Sequence, residues 1–185
     1  MEAIDTELFG IVHRKQKINS KLKGNVNELK VTKILTEWTG HEFVRIPGSG
    51  SLRWRNRMDI CGDIINTDPN FDFIFSVETK HVKKLGLHSK EVLRINSIVY
   101  TYFEQCQRDA TASGKIPFLM IRENGMKIGD YYIFLDLLMD QHMKLSNYIK
   151  EIYFSSGKDF CLYGYRSKDL FSQTSYETLK WIYVK

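Results

Sequence analysis

Residues 73–82 read FIFSVETKHV. Phe73, Ile74, Phe75 and Val77, relieved only by Ser76, predict a buried strand that closes on two opposite charges, Glu78 and Lys80. Side chains alternate faces along a strand, so this carboxylate and this ammonium project from the same face. Charge at the end of an apolar strand is costly unless it is paired or put to use. The spacing alone decides little, because Glu28-Leu29-Lys30 repeats it on what reads as the surface of a helix.

Working outward, MDICGDIINT (58–67) predicts a neighbouring strand carrying Asp59 and Asp63, and DPN (68–70) a turn. Before it, HEFVRIP (41–47) reads as a short strand and GSGSLRWRNR (48–57) as a basic, glycine-containing loop. NVNELKVTKILTEWTG (25–40) predicts a helix with Glu28, Val31, Leu35 and Trp38 on one stripe. Asn25 or Asn27 would cap its start and Gly40 its end. Downstream, Ser89 would open a long helix in which Val92, Ile95, Val99, Tyr102 and Cys106 share a face, ending near Gly114. IPFLMIR (116–122) and YYIFLDLL (131–138) read as two more strands. Helix, three strands, helix, two strands predicts an α/β domain with a central mixed sheet flanked by helices. One domain is expected over 1–185: a basic arm or short helix at 1–23, a core at 24–136, and an aromatic-rich C-terminal elaboration at 141–185 whose elements the pattern does not order.

Charge is unevenly placed. Residues 1–58 hold 11 Lys/Arg against 6 Asp/Glu, whereas residues 59–185 hold 16 of each, so the whole net charge of +5 sits in the N-terminal third. Clusters such as HRKQKINSKLK (13–23) and RWRNR (53–57) suit either a solvated face or a phosphate backbone. Three separated cysteines fit a reducing cytoplasm rather than a disulfide framework or zinc site. The five histidines show no metal-ligand spacing. No apolar run approaches the roughly 18 residues of a membrane helix, and MEAIDTELFG has acids where a signal peptide would have bases. The GSGS loop lacks the Gly-Lys-Ser/Thr ending of a phosphate-binding P-loop, so no nucleotide cofactor is expected.

Adjacent strands can bring an Asp and a Glu within reach of one cation. Mg²⁺ takes oxygen ligands, one or two carboxylates together with waters and substrate phosphate. A carboxylate pair beside a lysine suits metal-assisted phosphodiester hydrolysis, in which the lysine polarises water or stabilises developing charge.

These elements, in this order, resemble the PD-(D/E)xK nuclease superfamily: Glu28 on the first helix, RIPGSGS, GDI, SVETK, then YFEQCQRDATASGKIPFLMIREN. More narrowly they are similar to its Holliday junction resolvase-like branch, above all to phage-encoded members. The likeness covers about residues 24–136. It implies a restriction-endonuclease-like core with Mg²⁺ as cofactor, replaceable by Mn²⁺. Asp63 and Glu78 would be metal ligands, with the Thr79 carbonyl a third. Lys80 would be the catalytic lysine, Glu28 an acid reaching the metal through water, and Gln105 a residue approaching from the long helix. Ser49 and Ser51 would contact the DNA backbone. No proline precedes either aspartate, and Asp59 remains an alternative to Asp63, as Gln107 does to Gln105.

Arg53, Arg55 and Arg57 around Trp54 are candidate phosphate contacts, and so are Arg45, Lys83 and Lys84 beside the motif strands. The expected substrate is branched DNA, foremost the four-way junction. Two matched cuts on a two-fold symmetric substrate suit a homodimer acting in the cytoplasm of an infected bacterium. Tyr163, Tyr165 and Trp181 read as core or dimer contacts rather than base-stacking platforms.

Overall fold

The structure is a computed structural model and describes residues 20–46, 62–85, 98–148, 152–156 and 161–184. Ser49, Ser51, Arg53, Arg55, Arg57, Asp59, the arm to residue 19 and the predicted helix start at Ser89 lie outside the described residues. Among those described, the order is α1 (Ser20–Thr39), β1 (Phe43–Arg45), β2 (Ile64–Asn66), β3 (Phe75–Val82), α2 (Ile98–Ser113), β4 (Ile116–Glu123), β5 (Tyr132–Asp136), α3 (Met139–Ser146), β6 (Ile152–Ser156), β7 (Cys161–Arg166), α4 (Ser167–Gln173) and α5 (Tyr176–Val184). The strands form one seven-stranded sheet in the order β1-β2-β3-β4-β5-β7-β6. Strands β3 and β4 run parallel, joined through α2, and the other pairings are antiparallel. The fold is α/β with a mixed sheet, as a restriction-endonuclease-like core requires.

The two faces of the sheet have separate cores. On one, Phe75, Val77, Phe118, Met120, Ile133, Leu135, Tyr163 and Tyr165 pack with Val31 and Leu35 of α1 and with Leu179 and Ile182 of α5. On the other, Leu119, Ile121, Phe134 and Leu162 pack with Val99, Phe103 and Cys106 of α2. The central strands are thus buried on both sides, which is why they read as unbroken apolar runs rather than as an alternation. The C-terminal segment closes the first core. Tyr176 accepts the Ile74 amide (3.0 Å) and donates to the Asp72 carbonyl (2.6 Å), pinning α5 to the entry of β3. Tyr163 and Tyr165 are core residues, and Trp181 is exposed, with Lys144 over its ring at 5.3 Å.

Three expectations change. The chain is already helical at Ser20, so Asn25 and Asn27 lie inside α1 and cap nothing, and residues 20–23 are part of the same helix. Gly40 does end it, in a left-handed turn (φ +78°) that returns its N–H to the Thr36 carbonyl at 2.8 Å. The strands expected over 41–47, 58–67 and 131–138 shorten to Phe43–Arg45, Ile64–Asn66 and Tyr132–Asp136. Asp63 consequently sits in the bend before β2 and not on a regular strand.

Candidate active site

Strand alternation sends Thr79 and His81 toward α1, and Glu78 and Lys80 toward α2. Glu78 is only 3% exposed. Its Oε1 accepts two donors, the Lys80 ammonium in a short ion pair and Gln105 Nε2 at 3.0 Å. The Lys80 ammonium also lies over the Tyr102 ring, 5.5 Å from its centre. Tyr102, Gln105 and Asp109 recur at helical spacing, so α2 presents all three on the stripe that faces β3. Gln107 points elsewhere, and among the described residues its Oε1 is buried without a partner. Gln105 is therefore the glutamine that reaches Glu78.

Asp63 arrives from the opposite edge. β2 meets β3 at a single register pair, Ile64↔Val77, and then diverges. At that point the Asp63 N–H donates to the Val77 carbonyl (2.8 Å) and the Asp63 carbonyl accepts the Ile46 amide (2.9 Å). The Asp63 side chain continues the ladder that β2 abandons: its Oδ2 accepts the Thr79 N–H at 2.9 Å. A strand residue's N–H and C=O leave on the same edge, so the Thr79 carbonyl opens on the Asp63 side. Gly62 makes the approach possible. It has φ +85°, and a Cβ there would stand 2.7 Å from the Val77 carbonyl oxygen. Only glycine fits a left-handed turn pressed against another strand's backbone.

α1 supplies the third side. Glu28 accepts Arg45 Nε at 3.0 Å, and the same guanidinium donates to Asn25 Oδ1 at 3.1 Å. Arg45, expected to face DNA phosphate, is turned inward onto Glu28. Asn27, buried to 2% exposure, donates to Thr79 Oγ1 (2.6 Å) and accepts the Tyr131 hydroxyl (3.0 Å). Thr79 is thus held from both ends, its amide by Asp63 and its hydroxyl by Asn27. Lys83 and Lys84 are exposed just past β3.

The electrostatics are those of a site with surplus negative charge. Burial, then Asp63, pushes the Glu78 carboxyl up to about 7 despite Lys80. Burial and Asp63 also raise Glu28 against the pull of Arg45. Burial raises Asp109 as well, with Asp63 adding to it against Arg108 and Lys80. Burial lowers the Lys80 ammonium, but Glu78 and Asp63 outweigh it and the net shift is upward. Among the described residues no group of three or more His, Cys, Asp or Glu is arranged around one point. The groups here that could serve as donors are two buried carboxylates, Asp63 and Glu78, and the Thr79 carbonyl. Together they fit a hard, oxygen-seeking cation that keeps waters of its own, and such a cation would offset the burial and the Asp63 repulsion that raise Glu78.

Glu28, Asp63, Glu78, Thr79, Lys80 and Gln105 are brought together; Arg45 borders them, and Lys83 and Lys84 lie at the strand end. Sequence reasoning missed Asn27, Tyr131, Tyr102 and Asp109. Tyr102 and Asp109 had a signal, their helical spacing from Gln105. Asn27 and Tyr131 had none, since they meet Thr79 only through the tertiary fold.

Residues 19–175 match the profile of a protein family described as "Phage putative PDDEXK endonuclease". The match spans most of the chain, and the chain belongs to this phage family of PD-(D/E)xK endonucleases. Neither a curated protein nor a solved structure matches it.

Proposed function

We propose that this member of the phage PD-(D/E)xK family is a Mg²⁺-dependent DNA endonuclease that resolves four-way junctions as a homodimer, with Mn²⁺ able to replace Mg²⁺. One observation carries the chemistry: Asp63, seated on the Thr79 amide, and the buried Glu78 flank one strand edge, with Lys80 donating to Glu78. Asp63, Glu78 and the Thr79 carbonyl would hold the cation. When bound, it supplies an activated water and neutralises charge growing on the phosphate.

The chain's own residues do the remainder. Gln105 fixes the Glu78 carboxylate, so that its orientation survives when Lys80 turns to substrate. Tyr102 supports the Lys80 ammonium beside that position. Lys80 is a donor to the water or to a non-bridging phosphate oxygen as charge develops. Water oxygen bonds to phosphorus, the P–O3′ bond breaks and a proton passes to O3′, leaving a 5′-phosphate and a 3′-hydroxyl. Glu28, close enough to Asp63 to be raised by it, would reach a bound cation through water. The junction assignment draws on the likeness to the resolvase-like branch and on the basic N-terminal third. Two active sites related by a two-fold axis match the symmetry of the junction.

The test is incubation of the protein with a labelled immobile four-way junction and Mg²⁺, beside the matching linear duplex and Lys80→Ala. Paired symmetric nicks on the junction alone, lost in the variant, support the whole reading. Cuts on both substrates keep the chemistry and discard the junction. Binding with no cut in Mg²⁺ or Mn²⁺ leaves Glu78–Lys80 as a salt bridge in a DNA-binding protein. Light scattering of a monomer, with and without junction, would sink the dimer.

A further inference from the structure

The face of β3 opposite Glu78 carries a second concentration of charge, and among the described residues it is basic: Lys23, Lys30 and Arg122. Lys23, Asn27 and Lys30 lie on one stripe of α1, four and then three residues apart. Asn27 holds Thr79, so the same stripe runs along the end of β3. His81 follows Thr79 by two and faces the same way. On the adjacent parallel strand, Arg122 is the register partner of His81. Lys23 Nζ donates to Asn124 Oδ1 at 3.0 Å, two residues beyond Arg122, which closes the ring of side chains.

No carboxylate answers these charges. Among the described residues Lys23, Lys30 and Arg122 form no ion pair. Arg122 is 8% exposed; one guanidinium nitrogen is held by the Met126 carbonyl, and the remainder of the buried group has the Tyr131 hydroxyl beside it and, among the described residues, no carboxylate. The His81 ring, partly buried between Lys23, Arg122 and Asn124, offers an N–H donor to the same spot. A buried guanidinium that has only neutral partners, with two lysines nearby, is costly unless an anion completes the group.

We propose that Lys23, Lys30 and His81, backed by the Arg122 charge, form a phosphate-binding site for the DNA backbone. The lysines and the histidine contact the phosphate and Arg122 contributes its field from beneath. His81 lies about 7 Å along β3 from Thr79 at strand rise, so the phosphate held is one that flanks the scissile position. This assignment rests on the nuclease reading for its ligand, and its test is independent of cleavage.

Binding of fluorescent junction and matched duplex is measured by anisotropy without divalent metal, over a range of salt, for the wild-type chain, Lys23→Gln/Lys30→Gln and His81→Gln. Losing one phosphate contact lowers the salt slope by about 0.9. The double variant is expected to lose roughly one unit of slope and affinity on the order of ten-fold, equally for both DNAs, with its thermal midpoint retained. His81→Gln is expected to weaken binding less. An unchanged slope and affinity in the double variant overturns the site while leaving the nuclease reading untouched; absence of wild-type DNA binding overturns it as well. Inorganic phosphate is titrated separately while the His81 ring protons are followed by NMR. Shifts with free phosphate but none with DNA would make this a small-anion site and overturn the assignment; shifts with DNA uphold it.

Discussion

Replacing Glu78 with Gln should stabilise the metal-free protein, and by an amount that grows with pH. Glu78 rises from an ordinary value of 4.5 to about 7 on folding. The folded state therefore binds this proton more tightly than the unfolded state. Its stabilising effect is complete below about pH 4.5 and is lost as pH climbs through 7. At about 1.4 kcal/mol per pH unit, the full loss is about 3 kcal/mol, of which about 2.5 falls between pH 5 and pH 8. Glutamine occupies the same space and does not titrate. The difference between variant and wild-type unfolding free energies, from urea melts in EDTA, should thus shift by about 2.5 kcal/mol in the variant's favour from pH 5 to pH 8. For a chain of this size that is a difference of roughly 5–10 °C in thermal midpoint. Subtracting the wild type removes the contribution of every titrating group that is not coupled to Glu78. Millimolar Mg²⁺ at pH 8 should stabilise the wild type and close most of the gap, because a bound cation compensates the ionised carboxylate. A difference curve that stays flat from pH 5 to pH 8 would refute the reasoning, for Glu78 would then be ionised throughout and the site would carry no unmet negative charge.

Three further outcomes are expected. Gly62→Ala forces a Cβ to within 2.7 Å of the Val77 oxygen at φ +85°; it should cost at least about 2 kcal/mol in urea unfolding and weaken Mn²⁺ binding by moving Asp63 off Thr79. Asn27→Ala strands the Tyr131 hydroxyl and removes the donor to Thr79; a loss of about 3 kcal/mol is expected in the same assay, with Asn27→Asp, which keeps only the acceptor, in between. Trp38→Phe keeps the ring against Phe171 but deletes the 2.8 Å bond to the Thr174 carbonyl, so the denaturant midpoint should fall by the equivalent of about 1 kcal/mol.

The central strands, α2 and the pairing of Glu78 with Lys80 on one face were legible because period 2 and period 3.6 are local properties of the chain. Asp63 was legible as a candidate, but not its manner of seating. That depends on where β2 leaves β3, and no local pattern encodes the point of departure. The start of α1 was misread for a physical reason. Asn is a strong N-cap when its side chain bonds its own backbone, yet Asn27 spends its amide on Thr79 and Tyr131. With that competition removed, Lys21-Leu22-Lys23 extend the helix. The C-terminal segment was opaque because β7 is buried on both faces and shows no alternation. α5, with Trp181, Ile182, Tyr183 and Val184, has the composition of a strand and is helical through its packing.

The parallel pairing of β3 with β4 has a consequence for the order of events as the polypeptide is made. Every acid and base proposed for the cutting step lies at or before Gln105, yet the strand bearing two of them is held along its whole length by β4. Glu78 faces Leu119, and Lys80 faces Ile121, each 41 positions further along the chain. Contacts that far apart in sequence form only after a long loop has closed, which is slow compared with local helix formation. A nascent chain that has emerged through Lys80 thus carries the catalytic pair on a strand that β2 holds at a single register pair and that still lacks its partner along the other edge. The scissor is assembled only once residues 116–123 have left the ribosome and docked, and a chain interrupted before that point has the residues of a nuclease without its geometry.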